Sequence, residues 1–303
     1  MNMVERKKIG LALSGGGVRG IAHIGVLEVL EDLKIPIDYI SGTSMGAIVA
    51  ALYAFEPNAK KLKKEILKID ISKLFDFTIS KYGFIKGNRL EEFFQKRFNN
   101  MTFKDAKIPL FITAYDIERN REVIFNKGDV SRAIRSSISI PGIFFPVQNK
   151  NEILVDGGVI DPIPSEILKK QGADVIIVSN VQHYRTNTIK LEKATKIRSK
   201  NKKMPSAFGV ALKSLQVLDG QIAMFDLIRG PADLVINVNL ENIGTFDSNK
   251  TKEILNKGRN AALSKVEEIR AAAENNPLKI LLSELNADLG IKKIYKKIKS
   301  KLK

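Results

Sequence analysis

Cysteine is absent from all 303 residues of the chain, which removes disulfides, thiolate metal ligands and a cysteine nucleophile together. A reducing, cytoplasmic setting fits that absence. Histidine is almost absent as well, so only His23 and His183 could supply an imidazole base. Long apolar runs are missing. The longest, Ala47 to Phe55, is far short of the roughly 20 residues a spanning helix needs, and a soluble or peripheral protein is expected. Ile9 to Leu13 is too short for a signal-peptide core and runs straight into glycines, so it reads as the first strand. Acids are outnumbered: the formal net charge is +17, and Lys292 to Lys303 hold seven lysines with no acid among them. Without that tail the charge is still +10, so basicity is general. A basic surface attracts nucleic acid, anionic membrane and acidic small molecules alike. The chain lacks a zinc-finger pattern, an RNA-binding signature and an aromatic-interleaved basic groove, and no specific nucleic-acid partner is expected.

What is present is an alternation. Strand-like runs at Ile9 to Leu13, Tyr39 to Ser41, Leu110 to Tyr115, Val123 to Phe125, Val175 to Asn180 and Leu234 to Val238 interleave with helix-period segments such as Gly20 to Leu33 and Ala47 to Phe55. This predicts an α/β fold, a mainly parallel sheet with helices on its faces. Lys60 to Phe98 is polar and helix-rich, interrupted by Gly83 and Gly87, and reads as a cap or side layer. Thr186 to Pro205 is basic and polar and reads as a surface loop. Ile254 to Ala273 has helical spacing, which Pro277 ends. The expected organisation is one catalytic domain over 1–265, with its core at about 8–262, and a helical, lysine-rich appendage over 266–303.

Ser44 is the centre of Gly42-Thr43-Ser44-Met45-Gly46, between a short strand pattern (Ile37 to Ile40) and the helix pattern from Ala47. A serine on a sharp strand-to-helix turn holds its hydroxyl out over the sheet edge, and only small residues fit two positions either side. The helix N-terminus behind it favours negative charge. Gly42 and Gly46 are therefore the expected elbow, and Ser44 the nucleophile. The alternative is a serine that merely caps the helix.

A second glycine-rich turn, Ser14-Gly15-Gly16-Gly17-Val18-Arg19-Gly20, links the first strand to the first helix. It also fits a dinucleotide-binding Gly-x-Gly-x-x-Gly. That reading needs an acid at the carboxyl end of the second strand, but Asp38 lies before the strand and Ser44 stands at the far end. Two such turns at the carboxyl ends of neighbouring strands converge on one crevice. The loop amides then form an oxyanion hole for a carbonyl at Ser44. For the base, Asp156 in Asp156-Gly157-Gly158 is the stronger candidate, because two glycines let backbone approach closely. Its alternative is a hairpin turn. A Ser44–Asp156–His183 order also stays open, whereas His23 is expected to pack against the sheet.

Gly15 to Gly20, Gly42 to Gly46 and Asp156 to Gly158, in this order, resemble the patatin-like phospholipase family. So do Ala133 to Gly142 and Asp161-Pro162-Ile163-Pro164. The similarity runs from about Lys8 to Ala262. Ser14 stands where plant members carry Asp, a departure without consequence if the backbone amides do the work. The resemblance implies a three-layer α/β/α patatin-like fold and a metal-free, cofactor-free Ser-Asp acyl hydrolase of phospholipids or lysophospholipids. Carried over, Ser44 is the nucleophile and Asp156 the base. Gly15, Gly16 and Gly17 supply the oxyanion amides. Arg19 holds the loop or meets an anionic head group. Ile138, Ile140, Ile143, Phe144 and Phe145 either line the acyl pocket or are ordinary core. Other acyl donors (esters, thioesters, acyl transfer) and a non-catalytic adaptor are the alternatives. In the tail, Leu278, Leu282, Leu285, Leu289, Ile294, Ile298 and Leu302 recur at steps of mostly three or four among lysines. That pattern suits a helix lying on an anionic inner-membrane surface, or a solvated one.

Overall fold

The computed structural model describes residues 6–80, 82–149, 151–182, 207–245 and 247–274. Strand β1 (Ile9–Leu13) passes through a 3-10 turn at Gly17–Ile21 into α1 (Ala22–Asp32), and β2 (Tyr39–Thr43) passes almost directly into α2 (Met45–Phe55). Helix α3 (Ala59–Ile66), the hairpin strands β3 (Phe77–Ser80) and β4 (Gly83–Ile85), and α4 (Asn88–Phe98) come next. They are followed by β5 (Leu110–Asp116), β6 (Arg121–Phe125), α5 (Val130–Ser137), β7 (Val147–Asn149), β8 (Glu152–Asp156), α6 (Glu166–Lys170) and β9 (Val175–Asn180). The rest is α7 (Ala207–Arg229), β10 (Leu234–Asn237), α8 (Thr251–Leu263) and α9 (Val266–Glu274).

The main sheet runs β10-β9-β1-β2-β5-β8-β7, with β6 also paired to β5. From β10 to β5 every pairing is parallel, while β6, β7 and β8 pair antiparallel. The central strands are buried on both faces, which is why they read as unbroken apolar runs. Ile9, Leu11, Leu13, Val175 and Ile177 point into the larger core; Ala12, Ile176 and Val178 point into the smaller one. The larger core takes the apolar sides of α1 to α5, α8 and α9, and the smaller one those of α6 and α7. The result is the expected three-layer α/β/α arrangement around a mainly parallel sheet.

Helices α1 and α8 pack unusually closely because both are bare at the contact. A Cβ on Gly258 would lie 2.0 Å from the Ala22 carbonyl oxygen, and one on Gly25 would lie 2.2 Å from that of Leu255.

Two local expectations change. Ile254 to Ala273 is not one helix: the chain turns at Ser264 and Lys265, which lets α9 carry Ile269 and Ala272 into the larger core. The side layer is not wholly helical either, since β3 and β4 form a separate two-stranded sheet. The basic segment at 186–205, His183 and the lysine-rich tail from 277 lie outside the described residues. Among the described residues, no helix is long and apolar enough to cross a membrane.

Candidate active site

The register of β5 brings the two expected reactive residues together. Thr113 pairs with Thr43, the residue before Ser44, and the next residue, Ala114, pairs with Asp156. Both β2 and β8 end there, so two side chains 112 residues apart in sequence meet at one sheet edge. Ser44 Oγ donates a 2.6 Å hydrogen bond to Asp156 Oδ2. The other carboxylate oxygen, Oδ1, accepts the Gly158 amide at 2.8 Å, which fixes the plane of the carboxylate.

Ser44 has φ 56° and ψ −124°, a conformation that a side chain other than glycine's rarely adopts. Such strain costs about 1–3 kcal/mol and persists only where the surroundings impose it. Here they do. A Cβ on Gly46 would sit 2.2 Å from the Leu13 carbonyl oxygen, and one on Gly42 would sit 2.5 Å from the Gly46 carbonyl, so both elbow glycines are required by close approach. The Ser44 amide donates to Ser137 Oγ at 2.8 Å. The segment at 133–142 is thus a brace: Ser139 also accepts the Asp156 amide through its carbonyl at 2.9 Å, and Arg135 donates to Ser139 Oγ at 2.6 Å. The 161–164 loop ties the elements from the other side, its Asp161, Pro162 and Pro164 carbonyls accepting from Thr43 Oγ1, the Gly15 amide and Ser41 Oγ.

That last set of contacts corrects one expectation. The Gly15 amide is directed at the Pro162 carbonyl, 3.0 Å away, so it is not available to an oxyanion. The Gly16 and Gly17 amides have no acceptor among the described residues. Gly17 has φ 59°, and a Cβ there would lie 2.3 Å from Thr245 Cγ2, so the loop shape demands glycine. Arg19 is buried and its Nε donates to the Gly16 carbonyl at 3.1 Å, which holds the loop from behind.

Two of the remaining polar groups are set by burial. Burial raises Asp156 to about 6, against the lowering effect of the Ser44 and Gly158 hydrogen bonds. His23 is fully buried and pushed down to about 4, so it is neutral. Its Nε2–H donates to the Ser14 carbonyl at 2.9 Å, leaving Nδ1 to accept from Ser179 Oγ at 2.7 Å. It clamps β1 to β9 and takes no part in the Ser44 contacts, as its place on the apolar helix face suggested.

Ser44 stands where two clefts meet. One, of about 610 Å³, is lined by Gly16, Gly17, Arg19 and Asp156 and by Gln216 and Asp219 of α7. The other, of about 780 Å³, is walled by aliphatic and aromatic side chains, Ile138, Ile140 and Phe144 among them. Ile143 lines the first cleft, while Phe145 lines neither. Helix α7 was not legible as a contributor: it is remote in sequence, and its two acids, Asp219 and Asp226, stand in an apolar stretch without a motif. Asp219 is raised to about 7, by burial first and the charge of Asp156 second, with Arg19 opposing. A carboxylate accepting a short bond from a serine hydroxyl can take its proton as the oxygen attacks a carbonyl. Two unpaired amides nearby can receive the resulting negative charge.

Known proteins resemble this chain in sequence and in fold. A family model described as Patatin-like phospholipase matches residues 11–169. The Lysophospholipase NTE1 of Yarrowia lipolytica is 34% identical over 186 residues, which is 59% of this chain and 13% of that protein. The Lysophospholipase NTE1 of Candida glabrata is 29% identical over 309 aligned positions, 95% of this chain and 17% of that protein. The chain therefore spans less than a fifth of the length of these curated relatives. The crystal structure of VipD from Legionella pneumophila shares the fold, with a TM-score of 0.58 at 15% identity over 87% of this chain and 67% of that one.

Proposed function

The chain belongs to the patatin-like phospholipase family, and from that premise we propose that it is a serine acyl hydrolase cleaving ester bonds of phospholipids or lysophospholipids through Ser44 and Asp156. The observation that carries this reading is the 2.6 Å bond from Ser44 Oγ to a carboxylate with no imidazole between them. Ser44 Oγ attacks the acyl carbonyl carbon while Asp156 Oδ2 takes the hydroxyl proton. The tetrahedral oxyanion is held by the Gly16 and Gly17 amides, each such donor being worth about two to three orders of magnitude in rate. Collapse breaks the ester C–O bond, and Asp156 returns its proton to the departing alcohol, leaving an acyl-Ser44 ester. Water, deprotonated by Asp156, attacks that ester; the fatty acid leaves and Ser44 regains its proton.

The paired clefts support a lipid substrate: an acyl chain fits the apolar one, and the other, which has Arg19, Gln216 and Asp219 in its wall, suits a head group. The names of the relatives, lysophospholipases, support the same class.

The test is a fluorophosphonate probe together with turnover of a short-chain ester, comparing wild type with Ser44→Ala, Asp156→Asn and His183→Ala. Labelling lost only with Ser44→Ala, and turnover lost with Ser44→Ala and Asp156→Asn but kept in His183→Ala, is the expected pattern. Loss at His183 would restore an imidazole base. A folded wild type that neither labels nor turns over would favour a non-catalytic module.

A further inference from the structure

The hairpin of β3 and β4 stands apart from the main sheet and presents large rings to solvent. Phe77 is 73% exposed, Tyr82 60% and Phe84 42%. Its inner side is tied to the segment that carries Ile143 of the first cleft and Phe144 of the apolar one: the Phe84 and Ile85 amides donate to the Ile143 carbonyl at 2.9 and 2.8 Å, and the Phe145 amide donates to the Ile85 carbonyl at 3.0 Å. Phe77 leads into the apolar cleft through two further rings. Phe77 meets Phe75 edge-on with centroids 6.1 Å apart, and Phe75 meets Phe144 at 6.0 Å; the latter two line the cleft. Three large rings left to solvent on one short hairpin are unusual on a water-facing surface, and phenylalanine and tyrosine suit a bilayer interface.

Charge indicates which surface they meet. Residues 60–90 hold nine lysines and arginines against three acids. All three acids have local partners. Glu65 pairs with Arg97, Asp70 with Lys73, and Asp76 accepts the Gly87 and Asn88 amides. Lys68, Lys86 and Arg89 of this stretch are exposed.

We propose that this hairpin is a membrane-docking element, seating Phe77, Tyr82 and Phe84 in an anionic bilayer so that the apolar cleft opens onto the lipid it draws from. The proposal rests on the acyl-lipid reading of the clefts. Each fully inserted ring is worth about tenfold in membrane affinity, and each lysine or arginine near the surface about fivefold.

The chain contains no tryptophan, so Phe77→Trp in the full-length protein gives a single reporter. With vesicles of equimolar phosphatidylcholine and phosphatidylglycerol, its emission is expected to shift to the blue and to be quenched by lipids brominated in their acyl chains. A Phe77→Ser/Tyr82→Ser/Phe84→Ser variant is expected to lose vesicle affinity by about tenfold or more while hydrolysing a soluble short-chain ester as wild type does. A vesicle-bound Phe77→Trp protein whose emission stays that of an indole in water overturns the proposal, as does failure of that protein to bind vesicles. The two readings separate: insertion without ester turnover removes the hydrolase and keeps the docking surface, and turnover without insertion does the reverse.

Discussion

Asp156→Asn is expected to abolish turnover and, at neutral and alkaline pH, to stabilise the fold. Burial holds the Asp156 carboxyl at about 6 in the folded protein, against 3.8 for an unperturbed side chain. The folded state therefore binds that proton more tightly than the unfolded chain. Its contribution is present in full below about pH 4 and is lost as pH rises through about 6. A raise of this size corresponds to a ceiling of about 3 kcal/mol of destabilisation by the ionised carboxylate at pH 8. Asparagine cannot ionise, yet its geometry keeps both contacts, Oδ1 accepting the Gly158 amide and Nδ2 donating to Ser44 Oγ. For a chain of this size, each kcal/mol moves the midpoint by about 2–4 °C, so the variant should melt up to roughly 10 °C above wild type at about pH 8. Thermal unfolding followed by circular dichroism between about pH 4 and pH 8 reads the effect, and the advantage should shrink to nothing at the acid end. A variant no more stable than wild type at pH 8, or an advantage independent of pH, would refute the claim that a buried, ionised carboxylate faces Ser44.

Three further outcomes follow from the same geometry. Because only the ionised Asp156 can accept the serine proton, kcat/KM should fall about tenfold per pH unit below about pH 6, and a profile flat across that range would remove Asp156 as the base. Ser137→Ala orphans the buried Ser44 amide, which it holds at 2.8 Å. A loss of about 1–3 kcal/mol, read as a kcat lowered by about 5- to 150-fold with labelling retained, is expected, and unchanged kcat would show the brace to be dispensable. Gly258→Ala places a methyl group 2.0 Å from the Ala22 carbonyl oxygen and should reduce stability in urea by about 1–3 kcal/mol, with wild-type stability arguing against the close α1–α8 contact.

The elements legible in the sequence are those whose stabilisation is local or two-sided. β1 and β9 were readable because both faces of each are buried, and the Ser44 elbow because its strained turn leaves a Gly-x-Ser-x-Gly signature, Gly42 being required by the nearby Gly46 backbone and Gly46 by the Leu13 carbonyl, distant in sequence. The same holds for the Gly16–Gly17 loop, whose backbone shape admits no side chain. Strand β8 was missed because it is short and half-buried at its start, and α7 because its inward and outward apolar residues blur the helical period.

What the chain by itself determined is thus the layered α/β architecture and the residue types able to do acyl chemistry: a serine on an elbow, a glycine loop and an acid before two glycines. Only the tertiary structure decided that Ser44 and Asp156 meet at 2.6 Å, since that depends on consecutive residues of β5 pairing with two different strands. It also decided that the Gly15 amide belongs to Pro162 and that Asp219 faces the cleft. Register, burial and the partner of a backbone amide are properties of long-range packing, and no local pattern of side chains encodes them.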